Sequence, residues 1–160
     1  MSELTDAVNI DLQTKNFNFS NSKKILKIFL AELDYVNEED LFNVKTRGID
    51  KSILQQPGWL QHFSIFHIEL KNAIEVVEIE QDLRKGMLWK ELTETHNREL
   101  SQMDKNQYIQ CDDTIYKYRV FLALLKELSD RFSVVVDSFK SLGFALNSYV
   151  RYKQGTVEID

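Results

Sequence analysis

The stretch that decides the fold is residues 115–155, IYKYRVFLALLKELSDRFSVVVDSFKSLGFALNSYVRYKQG. Apolar or small side chains recur along it with a spacing that alternates three and four, which predicts one stripe on a long α-helix. Because such a helix is unstable alone in water, the stripe predicts a partner helix. It also predicts that the function lies in what the chain packs against rather than in a reaction that it catalyses. Its members are Ile115, Tyr118, Leu122, Leu125, Ser129, Phe132, Val136, Phe139 and Gly143.

A second stripe with the same spacing begins at Leu60 and includes Phe63, His67, Leu70, Ile74 and Val77. Pro57 precedes it, and proline is accepted in the first turn of a helix, so we predict that this helix begins near Pro57. The chain has one proline and five glycines, which also favours long helices. We therefore predict a mainly α fold, with a long antiparallel helical hairpin over residues 49–160.

The flanking segments complete the predicted organisation. Weak alternation of apolar residues from Met1 to Phe19 predicts a short β arm of one or two strands, or an arm that lies on a neighbouring subunit. Ser20 to Ser22 offer capping side chains for a following helix. Arm and helix form a separate region, residues 1–48. The polar stretch from Thr93 to Gln110 holds the reversal between the long helices, and Asp112 with Asp113 opens the last one.

Part of the terminal stripe has no obvious mate within the chain. The second stripe becomes polar at Gln81 and Arg84, beyond Val77. We therefore predict an oligomeric assembly in which another subunit docks on the unmatched part. The candidate oligomerisation residues are Phe132, Val136, Phe139, Leu142, Phe144 and Leu146.

Composition bounds the setting. The formal net charge of −5 does not favour non-specific binding of nucleic acid by the whole chain. We find no apolar run of the roughly 18 residues needed to cross a membrane. Residues Met1 to Asp6 lack the basic start and apolar stretch that are typical of a signal peptide. The lone Cys111 cannot form an internal disulfide, which predicts a cytoplasmic protein.

No set of residues predicts catalysis, a metal or a cofactor. His62 and His67 are five residues apart, so on a helix they cannot share one ion as an i, i+4 pair could. Glu75, Glu78 and Asp82 are best interpreted as a solvated acidic face. The chain has no phosphate-binding glycine loop, zinc-protease motif or hydrolase nucleophile motif, and we predict that it is not an enzyme.

Two clusters of basic and aromatic residues are candidates for binding nucleic acid. Basic side chains neutralise phosphates, and an aromatic ring stacks on an unpaired base. The alternative is an ordinary surface around a buried Trp89. The first cluster contains Arg84, Lys85, Trp89, Lys90 and Arg98, and the second contains Tyr149, Arg151, Tyr152 and Lys153.

Three stretches resemble the UvsY-type recombination mediator family of tailed phages. The first is Leu54–Trp59 (LQQPGW), the second Asp104–Ile109, which is similar to the segment before that family's C-terminal helix. The third is Lys140–Leu146 (KSLGFAL), followed by Arg151–Gly155. Together they cover residues 49–155 in family order, and none is a catalytic signature. Residues 1–48 look like an extension of the family length.

The resemblance implies a non-enzymatic mediator in the cytoplasm of the phage host. Such proteins bind single-stranded DNA, contact a RecA-like recombinase and a single-strand-binding protein, and form homo-oligomeric rings through their C-terminal helical region. The family's DNA-contacting helix has two basic residues two positions apart, which fall on Leu88 and Lys90. Lys90 keeps the charge and Leu88 does not. The predicted DNA contacts are Arg84, Lys85, Trp89 and Lys90.

A second hypothesis is a helical adaptor or inhibitor that acts through protein–protein contacts and never binds DNA. Its acidic surface would then be the working surface. Binding of a labelled oligonucleotide at low salt distinguishes the two hypotheses.

Overall fold

The computed structural model describes residues 19–95 and 100–157, and within these ranges the chain is helical with no strand. The prediction of a mainly α fold is confirmed. The β arm predicted for the N-terminus lies outside the described residues, except that Phe19 begins a helix. The helices are α1 (Phe19–Glu38), α2 (Val44–Arg47), α3 (Ile49–Thr95), α4 (Gln102–Cys111) and α5 (Asp113–Val157).

Helix α1 confirms the predicted N-terminal helix but begins earlier than predicted. Ser20 and Ser22 lie within it, so their predicted capping role is wrong. The chain leaves α1 through a turn in which Asp40 has a φ of 47°. Gly48 then joins α2 to α3 with a φ of 82°, a conformation that glycine adopts without the steric cost of a β-carbon. The buried stripe of α1 is Ile25, Phe29, Leu33 and Val36.

Helix α3 is 47 residues long and begins at Ile49, eight positions before Pro57. The predicted start at Pro57 is therefore wrong. Proline in a helix interior removes one backbone hydrogen bond, here the one that the carbonyl of Ile53 would accept. Packing offsets that cost, because the Gln56 amide donates a 2.7 Å hydrogen bond to the carbonyl of Phe139 on α5.

The predicted reversal at Thr93–Gln110 is largely a helix, because α4 begins at Gln102. Ser101 and Asp104 form a capping box, in which each side chain accepts a hydrogen bond from the other residue's backbone N–H. Asp112 ends α4, and its Oδ1 accepts from the backbone N–H groups of Thr114 and Ile115 at 2.9 and 3.0 Å. The prediction that Asp112 opens the last helix is confirmed.

Residue contacts divide the chain into two units. Of the described residues, unit 1 holds 19–28, 70–95 and 100–127, and unit 2 holds 29–69 and 128–157. Each unit thus takes a part of α1, α3 and α5. The division predicted between residues 48 and 49 concerns the domains and stays a prediction.

Unit 2 has an aromatic core. Phe29 meets Phe66 and Phe132 edge to face, with ring centroids 6.1 and 5.8 Å apart. Phe63 stacks on Phe139 at 5.4 Å, and Phe66 stacks on Phe132 at 6.3 Å. Offset and edge-to-face pairs of this kind add to the stabilisation from burial.

Unit 1 has a mainly aliphatic core, in which Tyr118 and Phe121 are also buried, with charged pairs at its edge. Leu70, Ala73 and Val77 of α3 are buried, as are Ile115, Leu122 and Leu125 of α5. Lys126 Nζ lies 2.6 Å from Glu78 Oε1 across the two helices. The stripe predicted for α5 is buried from Ile115 to Phe139, so its assignment to one face is confirmed.

None of the helices in the described ranges is long and apolar enough to cross a membrane.

Candidate nucleic-acid interface

The predicted DNA contacts lie in unit 1, on the last third of α3. The structure adds a cation that sequence reasoning missed in this role: Lys105 of α4 places its ammonium 5.4 Å from the centre of the Trp89 ring. The same ammonium donates a 3.0 Å hydrogen bond to Thr93 Oγ1. Lys105 is 16 residues from Trp89 in sequence, and only the fold of α4 brings them together. Arg98 lies outside the described residues.

Each predicted basic contact has a carboxylate near it. Lys85 Nζ lies 2.8 Å from Asp82, Lys90 Nζ lies 3.8 Å from Glu94, and Arg84 Nη2 lies 3.7 Å from Asp112. The Lys85 and Lys90 pairs are exposed and lie within one helix, where such pairs contribute only about 0.3–0.5 kcal/mol. A phosphate can therefore compete for these two lysines.

Arg84 differs from the two lysines. Its Nε is buried without a hydrogen-bond partner within the described part of the chain. It follows buried Val77 and Gln81 at helical spacing, so it lies at the edge of the packed face of α3. Its contact with Asp112 joins α3 to the residue that caps α5. Arg84 therefore has a structural role available that Lys85 and Lys90 lack.

Leu88, the departure from the family pattern, continues the packed face of α3. It lies two turns after Gln81 and one after Arg84, and it lines a small groove with Leu92, Ile109 and Asp112. A basic side chain here would be partly desolvated. The structure thus gives a packing reason for leucine at position 88.

A buried tyrosine adjoins the same face. Burial raises the pKa of the Tyr118 hydroxyl above its usual value, the charge of Glu80 raises it further, and the Arg84 guanidinium lowers it. Gln81 is buried nearby on α3 with its amide nitrogen unpartnered among the described residues. These groups make a polar edge of the core and include no convergent acid and base.

The predicted oligomerisation residues lie in unit 2 and differ in exposure. Leu142 is half-buried, and Phe144 is 77% exposed. The other four are already buried within one chain, so Phe144 is the member of the set whose side chain is exposed. They are Phe132, Val136, Phe139 and Leu146.

The mate for the end of the terminal stripe is within the chain. The first two turns of α3, together with Phe42, cover it: Phe42 meets Phe139 at 4.5 Å, and Gln56 contacts Gly143. The prediction that this part lacks an internal mate is wrong. It rests on the polar Gln81 and Arg84, whereas the residues that cover this part are Phe42 and the start of α3. The oligomerisation role itself stays a prediction.

The second basic and aromatic cluster lies at the end of α5. Lys153 places its ammonium 5.9 Å from the Tyr149 ring, and both residues line an open groove of about 750 Å³ with Ile49, Asp50 and Ile53. Tyr152 and Arg151 are exposed. The Asp50 carboxylate would repel a phosphate, so this groove is less suited to nucleic acid than the basic and aromatic cluster alone suggests.

Residues with catalytic or metal-binding side chains do not converge. No group of three or more His, Cys, Asp or Glu in residues 19–95 and 100–157 could hold a metal ion. His62 Nε2 lies 2.9 Å from Glu32 Oε2 between aromatic rings, and Cys111 is exposed at the end of α4. The prediction of a non-enzymatic protein stays a prediction.

Comparison with known proteins gives no assignment. No protein-family model, no curated protein and no solved structure matches this chain. The resemblance to recombination mediators therefore depends only on the three stretches of sequence quoted for it above.

Proposed function

We propose that this chain is a recombination mediator that binds single-stranded DNA and helps to load a RecA-like recombinase in place of a single-strand-binding protein. The observation that supports it best is the Lys105 ammonium over the Trp89 ring in unit 1. On α3, Lys85 lies one helical turn before Trp89 and Lys90 follows it in sequence. The mediator acts in the cytoplasm of a phage-infected cell, as a homo-oligomeric ring.

The chemistry of the site follows from those residues. Lys90 and Lys85 exchange an exposed carboxylate for a phosphate, releasing counterions as they do so. The Lys105 ammonium lies over the face of the Trp89 ring, where a nucleic-acid base would stack. A base that stacks there displaces the ammonium, which can then contact a phosphate of the same DNA strand. Each subunit supplies few contacts, and repetition around a ring raises the affinity of the whole.

The long antiparallel hairpin belongs to the same proposal. Within unit 1, Glu78 pairs with Lys126 and Arg84 with Asp112, so a later position on α3 meets an earlier one on α5. Within unit 2, the same order relates Gln56 to Phe139 and Phe66 to Phe132. Both sets of contacts support antiparallel packing.

Fluorescence anisotropy with a labelled single-stranded oligonucleotide tests the DNA site. Wild-type protein should bind at low salt and lose affinity steeply as salt rises. Lys90→Glu should weaken binding at least about tenfold with the oligomer mass unchanged, because it replaces an attraction to phosphate with a repulsion. Lys71→Glu makes the same charge change at an exposed position earlier on α3 and should leave affinity within about twofold. Tight, salt-insensitive binding by Lys90→Glu would contradict the site.

One observation favours the second candidate, an adaptor that binds protein alone. Arg84, Lys85 and Lys90 each have a carboxylate within 4 Å, so their charges are partly compensated before any DNA arrives. The same titration separates the candidates. No binding of the oligonucleotide at low salt and micromolar protein would favour the adaptor.

A further inference from the structure

Two exposed rows of apolar side chains remain in unit 1 after its core is accounted for. On α3, Ile79, Leu83 and Met87 are 55%, 55% and 63% exposed. On α5, Tyr116, Val120 and Leu124 are 60%, 43% and 42% exposed. Both rows have the spacing i, i+4, i+8, and both span about 12 Å at 1.5 Å per residue.

Each row faces away from the packed face of its own helix. At about 100° per residue, Leu83 lies about 120° from buried Val77 on α3. Val120 lies about 140° from buried Leu125 on α5. Single exposed apolar residues need no explanation, but two continuous rows with the same spacing are a feature of interaction surfaces.

The unpaired charges beside the two rows are opposite in balance. Exposed Glu75 and Glu91 lie at the two ends of the α3 row, four residues before Ile79 and four after Met87, and neither has an ion pair within the described part of the chain. The other charged neighbours of this row include three that are paired: Asp82 with Lys85, Arg84 with Asp112, and Lys90 with Glu94. Lys117 and Arg119 border the α5 row, against one exposed carboxylate, that of Asp113, because Glu127 has a partner of its own. Arg119 also donates to the carbonyl of Gln110, a bond that leaves its positive charge uncompensated.

We infer that the α3 row of one chain docks on the α5 row of a second copy of this chain. Rows at i, i+4, i+8 interdigitate in the commonest class of helix packing, in which the axes cross at about −50°. The acidic border of the α3 row then meets the basic border of the α5 row, which sets the orientation and disfavours pairing of like rows.

Such an interface joins two unlike surfaces, so every bound chain still offers one free row of each kind. Contacts of this type continue into a closed ring or an open filament. The inference rests on the self-association in the proposed function and places it on unit 1 rather than on the buried end of α5. Because three residues on each side make a small contact, we expect the assembly to depend on protein concentration.

Two variants that break opposite sides test the inference by light-scattering mass, without DNA. Leu83→Arg removes the α3 row and keeps the α5 row; Val120→Glu does the reverse. Wild-type protein should have a mass that is a multiple of 18.8 kDa, and each variant alone should fall to 18.8 kDa. An equimolar mixture of the two variants should regain a species of twice that mass, because one intact row of each kind remains.

Val134→Glu is the matched control, since Val134 is 67% exposed on α5 but belongs to unit 2. It should keep the wild-type mass, and circular dichroism should show equal helix content in all four proteins. A monomeric wild type would overturn the inference together with the proposed ring. A wild-type mass retained by Leu83→Arg or Val120→Glu would overturn the inference alone, as would a mixture that stays monomeric. The Lys90→Glu comparison tests the DNA site separately, because that variant and the wild type are expected to have the same oligomer mass.

Discussion

Gln56 occupies the space that a β-carbon on Gly143 would fill: its Nε2 lies 2.5 Å from that position. The same amide donates to the carbonyl of Phe139, one turn earlier on α5. Glycine at position 143 therefore lets the α3 side chain reach the backbone of α5.

Gly143→Ala should bring no gain in stability. Alanine adds about 1 kcal/mol of helix propensity, and displacing Gln56 loses a hydrogen bond of about the same value. Gly58→Ala has open space around its β-carbon and should raise the free energy of unfolding by about 1 kcal/mol. In a Gln56→Ala background, Gly143→Ala should stabilise as Gly58→Ala does. Urea unfolding measures all four, and a stabilising single Gly143→Ala would contradict the argument.

Phe63→Ala should destabilise the protein strongly. Phe63 is fully buried and its ring contacts those of Phe132 and Phe139, so truncation leaves a cavity and costs about 3–5 kcal/mol. Val134→Ala, at an exposed position on α5, should stay within about 0.5 kcal/mol. Thermal unfolding followed by circular dichroism checks both. Equal melting temperatures for the two variants would mean that the aromatic core of unit 2 is not packed as described.

Asp112→Ala should cost about 1–2 kcal/mol, because two backbone N–H groups of α5 lose their acceptor and Arg84 loses its carboxylate. Asp112→Asn keeps an acceptor oxygen and should recover most of the loss. Asp113→Ala, in the first turn but without these bonds, should cost less than about 1 kcal/mol. Chemical denaturation separates the three. An Asp113→Ala loss as large as that of Asp112→Ala would show that dipole compensation, not capping, dominates.

Stability should fall at alkaline pH through Tyr118. Burial raises its pKa above 10.0 in the folded state, so the unfolded chain loses this proton at a lower pH than the folded chain does. The contribution is fully present below pH 10 and is lost as pH rises through the higher folded value. Tyr118→Phe should flatten the fall in melting temperature above pH 10. An unchanged slope in that variant would assign the loss to other groups.

The periodic parts of the sequence predicted the fold well. The stripe on α5 follows from spacing alone, because a helix that must bury one face places its apolar residues every three or four positions. The interpretation of Asp112 as the start of α5 was also correct. Its carboxylate is the local acceptor that the first N–H groups of a helix need.

The errors came from residues whose local preference is overridden by packing. Pro57 is typical of the first turn of a helix, yet α3 has two further turns before it. Gln56 at the end of these turns, together with Phe42, contacts Phe139 of α5. Helix α4 has little apolar periodicity, and its signal is the capping box of Ser101 and Asp104, which a search for stripes passes over. The meeting of Lys105 with Trp89 depends on both helices, and no short-range pattern predicts it.

The division of α3 and α5 between two units gives each unit one of the two indoles. Trp59 lies beside Tyr35 and Phe63 in unit 2, and Trp89 lies beneath Lys105 in unit 1. Phenylalanine at either position leaves a single fluorophore that reports on one half of the molecule. Two helices, of 47 and 45 residues, each have a part in both units. When one unit unfolds, the part of each helix in the other unit gains a new end with unpaired backbone groups. We therefore expect the two units to unfold together, because they share these helices. The fluorescence of Trp59 and that of Trp89 should then change at the same temperature.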